Sequence, residues 1–289
     1  MKHATLTSKW WTLAVVGSGT FMSALDTSVV NVALPVISRE TGATVASLEW
    51  VMLAYLIVVS SSLLAFGRLA DIHGKRRIYL MGIVIFTLGS LACSLSRTIG
   101  LLIASRALQA LGAAMLFALS PALLVAAFPS SERGRALGMQ ATLTYLGLAL
   151  GPPLGGFLTQ HFGWPTIFSI NVPIGLAMWG LALVVLHPDR NGAGQPFDPI
   201  GAGAMAIGLA ATLFALSKGG EMGWRHPLII TAALTGLLAL VALLICEQRC
   251  RYPALDLKLF RNRRFAASMA AAWLSYVCAA SLSFLMPFR

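Results

Sequence analysis

The sequence predicts an all-α polytopic membrane protein, and three observations carry that prediction. Only 11% of the 289 residues are charged, whereas 57% are hydrophobic; a soluble domain carries about 25% charged residues and is less than half apolar. The apolar residues gather into about nine stretches, each near the roughly 20 residues that a bilayer span needs. Lys and Arg fall mainly in alternate loops, which is the charge pattern of a multi-pass chain. So few charges cannot cover a soluble globule, and a chain this apolar does not stay disordered.

The stretches cover residues 10–37, 47–66, 78–95, 100–128, 136–159, 165–186, 200–216, 227–245 and 265–288. Each accommodates a helix, which satisfies its own backbone polar groups inside lipid. The first follows Lys2 and Lys9 as a signal peptide would, but it is too long for a typical cleaved segment and is read as an uncleaved span. The longest polar stretch, residues 246–264, is a basic, Pro-containing linker ahead of the ninth span. With the N-terminus in the cytoplasm, roughly 15 of the 21 Lys and Arg lie in inside loops and about five outside, Lys218 among them. That excess sets the topology. It also accounts for the net charge of +11, so no nucleic-acid partner is inferred.

Several chemistries are disfavoured. Cys93, Cys246, Cys250 and Cys278 form no C-x-x-C pair, and the five histidines are scattered over different loops. A disulfide framework and a zinc site are therefore not expected. No Walker A sequence points to ATP, and no nucleophile–base pair suggests an enzyme.

The chemistry-bearing residues are the charges inside the spans. Asp26 is the one acid deep in a predicted span and Arg106 the one base. Intramembrane charge is costly and marks function by default. Asp26 lies 15 residues after Trp11, about 22 Å from the cytoplasmic side at 1.5 Å per residue. Arg106 enters its span from the other side, about 21 Å from the inner face of a ~30 Å core. The two are thus expected at similar depth, facing a common cavity. A carboxyl held in low dielectric can alternate between a proton and a cation. Arg106, always charged, acts through its field. Gln109, three residues on, shares its helix face and can hydrogen-bond beside it.

Five motifs, in order along the chain, then resemble a known family. Residues 25–35 (Leu-Asp-Thr-Ser-Val-Val-Asn-Val-Ala-Leu-Pro) resemble the first-span motif of the major facilitator superfamily, in its 14-span drug:proton antiporter family. Residues 67–77, with Gly67, Asp71, Gly74, Lys75, Arg76 and Arg77, resemble its loop between the second and third spans. Arg106 with Gln109 and Gly112 resembles the fourth-span motif. Gly138, Gly147, Gly151, Pro152, Gly155 and Gly156 match the antiporter motif of the fifth span. Residues 167–175 resemble the start of the sixth. Pro165 and Ile72 depart from the pattern, each standing where a basic residue is usual.

The resemblance implies a six-span bundle (1–187), two additional spans with their loops (188–245), the basic linker (246–264) and the first span of a second bundle (265–289), the rest of which would lie outside the chain. It implies secondary active transport: proton-coupled export of hydrophobic or cationic small molecules across the bacterial cytoplasmic (inner) membrane. No cofactor would be needed, with the proton gradient as energy source. Alternatives are a remnant that does not transport alone and a dedicated metabolite exporter. Asp26, Arg106 and Gln109 would couple proton and substrate. Asn31 and Pro35 would line the first-span cavity. Asp71 is expected to receive hydrogen bonds at the start of the third helix and to pair with Arg77, Arg133 or Arg135, forming a conformational gate with the Gly67–Arg77 loop. In the fifth span, the glycines would permit close helix approach and Pro152 would bend the helix.

Overall fold

The computed structural model describes the backbone of residues 2–187, 199–249 and 262–285. Most of the predicted basic linker, and loop residues 188–198, lie outside the described residues. Within them the chain is helical: α1 (Lys2–Thr41), α2 (Val45–His73), α3 (Lys75–Ser94), α4 (Ile99–Ala127), α5 (Arg133–Phe162), α6 (Thr166–Ser169), α7 (Asn171–Val185), α8 (Pro199–Met222), α9 (Pro227–Arg249) and α10 (Arg263–Leu285). Eight segments among the described residues are long and apolar enough to cross a membrane, with α6 and α7 together forming one of them. The ninth predicted run is helical as α10 but is not among these eight.

Local chemistry sets the breaks. Thr44 and Thr98 cap α2 and α4, their hydroxyls accepting from the N–H groups of Ser47 and Leu101 at 3.4 and 3.3 Å, as N-cap residues do. Between α2 and α3 a single residue turns the chain: Gly74, at φ 93°, where a side chain would be strained. The α6–α7 break falls just before Pro173, which has no N–H to give the Ser169 carbonyl.

Helices α1–α7 pack as one bundle, with α1 and α4 at its centre. The α1–α5 contact is the most extensive seam of the bundle. A Cβ on Gly147 would stand 2.5 Å from the Phe21 carbonyl oxygen, one on Gly151 would collide with the Ser28 side chain, and one on Gly155 would stand 2.9 Å from Val29. Pro152 lacks the N–H that the Leu148 carbonyl would otherwise receive. Ser28 of α1 replaces it, its hydroxyl donating to that carbonyl at 2.8 Å. The proline thus creates an acceptor that docks the neighbouring helix. Gly138 and Gly156 play no such part: a Cβ at the first meets nothing within 4 Å, and at the second only Val32 at 3.9 Å.

Helix α8 packs against α9 and also against α2. Trp50 stacks on Phe214 with centroids 5.6 Å apart. Lys218, expected in an outer loop, instead lies within α8, which runs on to Met222, and is 4% exposed. It donates to Glu49 of α2, and to Glu221 at 2.8 Å.

The core divides into two apolar clusters. One holds Met22, Tyr79, Phe86, Leu116 and Met178; the other holds Val29, Val51, Cys93, Leu102 and Phe168. Along α1, α3, α4 and α6–α7, buried polar residues stand between the two: Asp26, Ser90, Arg106 with Gln109, and Asn171.

The seam yields a contrast inside one motif. Gly151→Val overpacks α1 against α5 and is expected to cost about 1–3 kcal/mol or more. Gly138→Ala and Gly156→Ala should stay within about 0.5 kcal/mol of the parent. Unfolding of the three variants in detergent or bicelles checks the order.

Candidate functional site

The polar layer is a closed network drawn from four helices. Asp26 of α1 and Arg106 of α4 are each 1% exposed. Arg106 Nη1 donates to Asp26 Oδ2 at 2.5 Å and to Gln109 Oε1 at 2.6 Å. Gln109 Nε2 donates to Asp26 Oδ1 at 2.8 Å and to Ser90 Oγ of α3 at 2.7 Å. Asn171 Nδ2, from the first turn of α7, donates to the same Asp26 Oδ1 at 2.9 Å. The carboxylate therefore receives three hydrogen bonds, two of them from neutral amides. Such saturation is what a buried charge requires.

Arg106 is held on its other faces as well. Its Nε donates to the Val51 carbonyl at 3.4 Å. Its guanidinium lies 4.1 Å from the Tyr55 ring centroid and 5.7 Å from that of Phe168, an arrangement that stabilises a desolvated cation. Two small residues permit the approach of the helices. A Cβ on Gly89 would stand 2.5 Å from Gln109 Cα, and one on Gly112 would run into the Phe86 backbone. With glycine at both positions, α3 comes near enough to α4 for Ser90 to reach Gln109. Around the network, Asn171 Oδ1 and the phenol oxygen of Tyr55 are buried polar atoms with no hydrogen bond of standard geometry; the Thr27 hydroxyl lies beside the phenol.

Residues 16–202 match the family described as the Major Facilitator Superfamily. The chain belongs to this superfamily. It is 36% identical to the riboflavin transporter RibZ of Clostridioides difficile over 97% of its own length and 60% of that protein's. To the multidrug resistance protein Stp of Mycobacterium tuberculosis it is 36% identical, over 90% of its length and 48% of Stp's. To the putative multidrug resistance protein MdtD of Escherichia coli it is 34% identical, over 96% and 59%. The chain thus spans about half to three fifths of the length of these relatives.

Of the residues that the sequence singled out in this facilitator chain, Asp26, Arg106 and Gln109 come together. They meet one another rather than a shared cavity, because three other helices close over them. Asn31 and Pro35 lie on the exposed side of α1, turned away from the network. The contacts expected of Asp71 do not form. Among the described residues no ion pair joins Asp71 to Arg77, Arg133 or Arg135. Asp71 does not cap α3, because α2 continues to His73 and Gly74 stands at the cap. Asp71 lines a recess of about 230 Å³ with Gly67, Arg68 and Lys75, against Ala118, Leu119 and Ala122 of α4. The basic loops close onto other partners. Arg76 Nη2 donates to the Leu183 carbonyl of α7 at 2.7 Å. Arg133 Nε donates to the Phe128 carbonyl at 3.3 Å, and Arg135 lies 5.5 Å from the Trp10 ring. Lys9, 8% exposed, pairs with Glu132 at 2.6 Å and ties α1 to the α4–α5 loop.

Sequence reasoning did not give Asn171, Ser90, Tyr55 or Glu132 a role. Asn171 carried a usable signal, a bare amide in an apolar run; Ser90 and Tyr55 look like ordinary members of their spans.

The pair should show strong energetic coupling. Removing one partner of a buried ion pair typically costs about 3–5 kcal/mol, and replacing both costs far less. A double-mutant cycle with Asp26→Leu and Arg106→Met, read by unfolding in bicelles, is expected to give a coupling above about 2 kcal/mol. A value within about 0.5 kcal/mol of zero would show that the two charges do not depend on each other.

Proposed function

We propose that this facilitator chain serves in proton-coupled export of hydrophobic or cationic small molecules across the bacterial inner membrane, with its N-terminus in the cytoplasm. The observation that carries the reading is the fully buried Asp26–Arg106 pair, wired to Gln109, Ser90 and Asn171. Similarity to Stp and MdtD, both named multidrug resistance proteins, supports the substrate class.

The chemistry follows from the electrostatics of the pair. With Asp26 ionised, the two charges cancel and the bundle can close around them. A proton on Asp26 removes that cancellation and leaves Arg106 as an uncompensated cation in low dielectric, which costs several kcal/mol. The protonated protein then favours any arrangement that returns Arg106 to water or to another anion. Proton binding and helix packing thus become two ends of one equilibrium, and linkage makes the coupling reciprocal. A cationic substrate that reaches Asp26 competes with Arg106 for the same oxygens and biases the same equilibrium. Gln109 and Asn171 hold the carboxylate in place while its partner changes. Gly67, Asp71, Gly74, Lys75, Arg76, Arg77, Arg133 and Arg135 lie at the end where alternation would open and close, and Lys9 with Glu132 belongs to that same set. No cofactor enters; the proton gradient is the energy source.

A second reading, dedicated export of one metabolite, is favoured by the similarity to RibZ, named a riboflavin transporter. The two differ in substrate range and not in the coupling residues.

The test is pH-gradient-driven efflux from vesicles containing the full protein. Asp26→Asn is expected to lower efflux at least about tenfold, and Asp26→Glu, which keeps a protonatable group, should retain much of it. Unchanged gradient-driven efflux in Asp26→Asn would falsify the coupling role. A panel of cationic dyes and flavins run in the same assay separates broad from dedicated export.

A further inference from the structure

At the end of the bundle that carries the basic loops, a cavity of about 780 Å³ opens between α3 and α7. Its lining changes character along its length. His73, Arg76 and Arg77 stand at the mouth, and Met81, Val84 and Trp179 are among the apolar residues that follow. No acidic side chain is among its described lining residues. Gly74 to Ile85 marks its extent along α3, about 16 Å at 1.5 Å per residue. That is half of a ~30 Å hydrocarbon core, the depth of one leaflet.

We propose that this groove binds one anionic phospholipid of the adjacent leaflet, with the headgroup phosphate at Arg76 and Arg77 and an acyl chain along Met81, Val84 and Trp179. The charge requirement of a multi-pass chain accounts for basic residues near this end, but not for an apolar channel of one leaflet's depth running from them. Met81, Val84 and Trp179 are 42%, 38% and 39% exposed, so the groove wall is open to a chain from the bilayer. Arg76 fixes the mouth: its Nη2 donates to the Leu183 carbonyl at 2.7 Å, clamping α3 to α7 at headgroup level. Basic pockets between transmembrane helices are a recurrent way to hold anionic headgroups. The site stands apart from the Asp26 network and does not depend on the transport reading.

The full chain in bilayer nanodiscs tests the site, with Trp179 as reporter. Its fluorescence is isolated by subtracting the Trp179→Phe variant, and lipids brominated on the acyl chain serve as quenchers. Brominated phosphatidylglycerol is expected to quench Trp179 at several-fold lower mole fraction than brominated phosphatidylcholine. Arg77→Gln should raise the phosphatidylglycerol needed by about fivefold, the effect of one basic residue near an anionic surface, and Arg77→Lys should restore it. Equal quenching by the two lipids overturns the proposal, as does quenching by neither, which would mean that protein fills the groove. The wild-type comparison decides the matter even if an arginine variant fails to insert.

Discussion

Two opposite charges that cannot reach water must satisfy each other, and the arrangement of this bundle follows from that constraint. Asp26 and Arg106 are buried within α1 and α4, so those helices must keep their relative depth and rotation. The remaining acceptor capacity of the carboxylate demands further donors, which come from Gln109 and Asn171. Gln109 in turn needs α3 close by, and Gly89 and Gly112 remove the side chains that would keep it away. The break ahead of α7 brings Asn171 to the same carboxylate. Each helix that contributes to the layer passes from one apolar cluster to the other across it. A buried ionic network of this kind is weak as a source of net stability but strong as a specifier of register.

The rest of the bundle works by removing atoms rather than adding them. Along α1 and α5, three glycines bring backbone against backbone, and the proline-freed Leu148 carbonyl is answered by Ser28. Apolar burial gives helices little reason to associate inside lipid, so contact distance and hydrogen bonds decide the packing. The α8–α9 pair follows a different rule. It is held to α2 by an aromatic stack and by Lys218, which pairs with Glu49 of α2 and also with Glu221 of its own helix. This polar clasp can be separated from the internal packing of the bundle.

The spans were legible because apolar length is a one-dimensional property, and the depths of Asp26 and Arg106 because rise per residue is constant. Rotation about a helix axis was not legible. A common cavity and direct contact predict the same depths, and only the packed structure separates them. The role of Asp71 as a cap was misread for a related reason: moving one helix boundary by two or three residues turned it into a residue of the last turn of α2. Lys218 was misplaced in the same way, because a lysine near the end of an apolar run reads as loop until its two glutamate partners are seen. In the fifth span the sequence pattern marked six positions alike, yet the geometry gives close-contact roles to Gly147, Gly151 and Gly155 and a docking role to Pro152.

The central claim is that a proton on Asp26 releases Arg106. Infrared difference spectroscopy of the protein in bilayers, recorded between acidic and neutral pH, addresses it directly, with Asp26→Asn and isotope-labelled arginine to assign the bands. The account predicts that a protonated-carboxyl band of Asp26 appears together with a shift in a guanidinium band, and that both vanish in Asp26→Asn. A carboxyl band that grows while every guanidinium band stays fixed would contradict it.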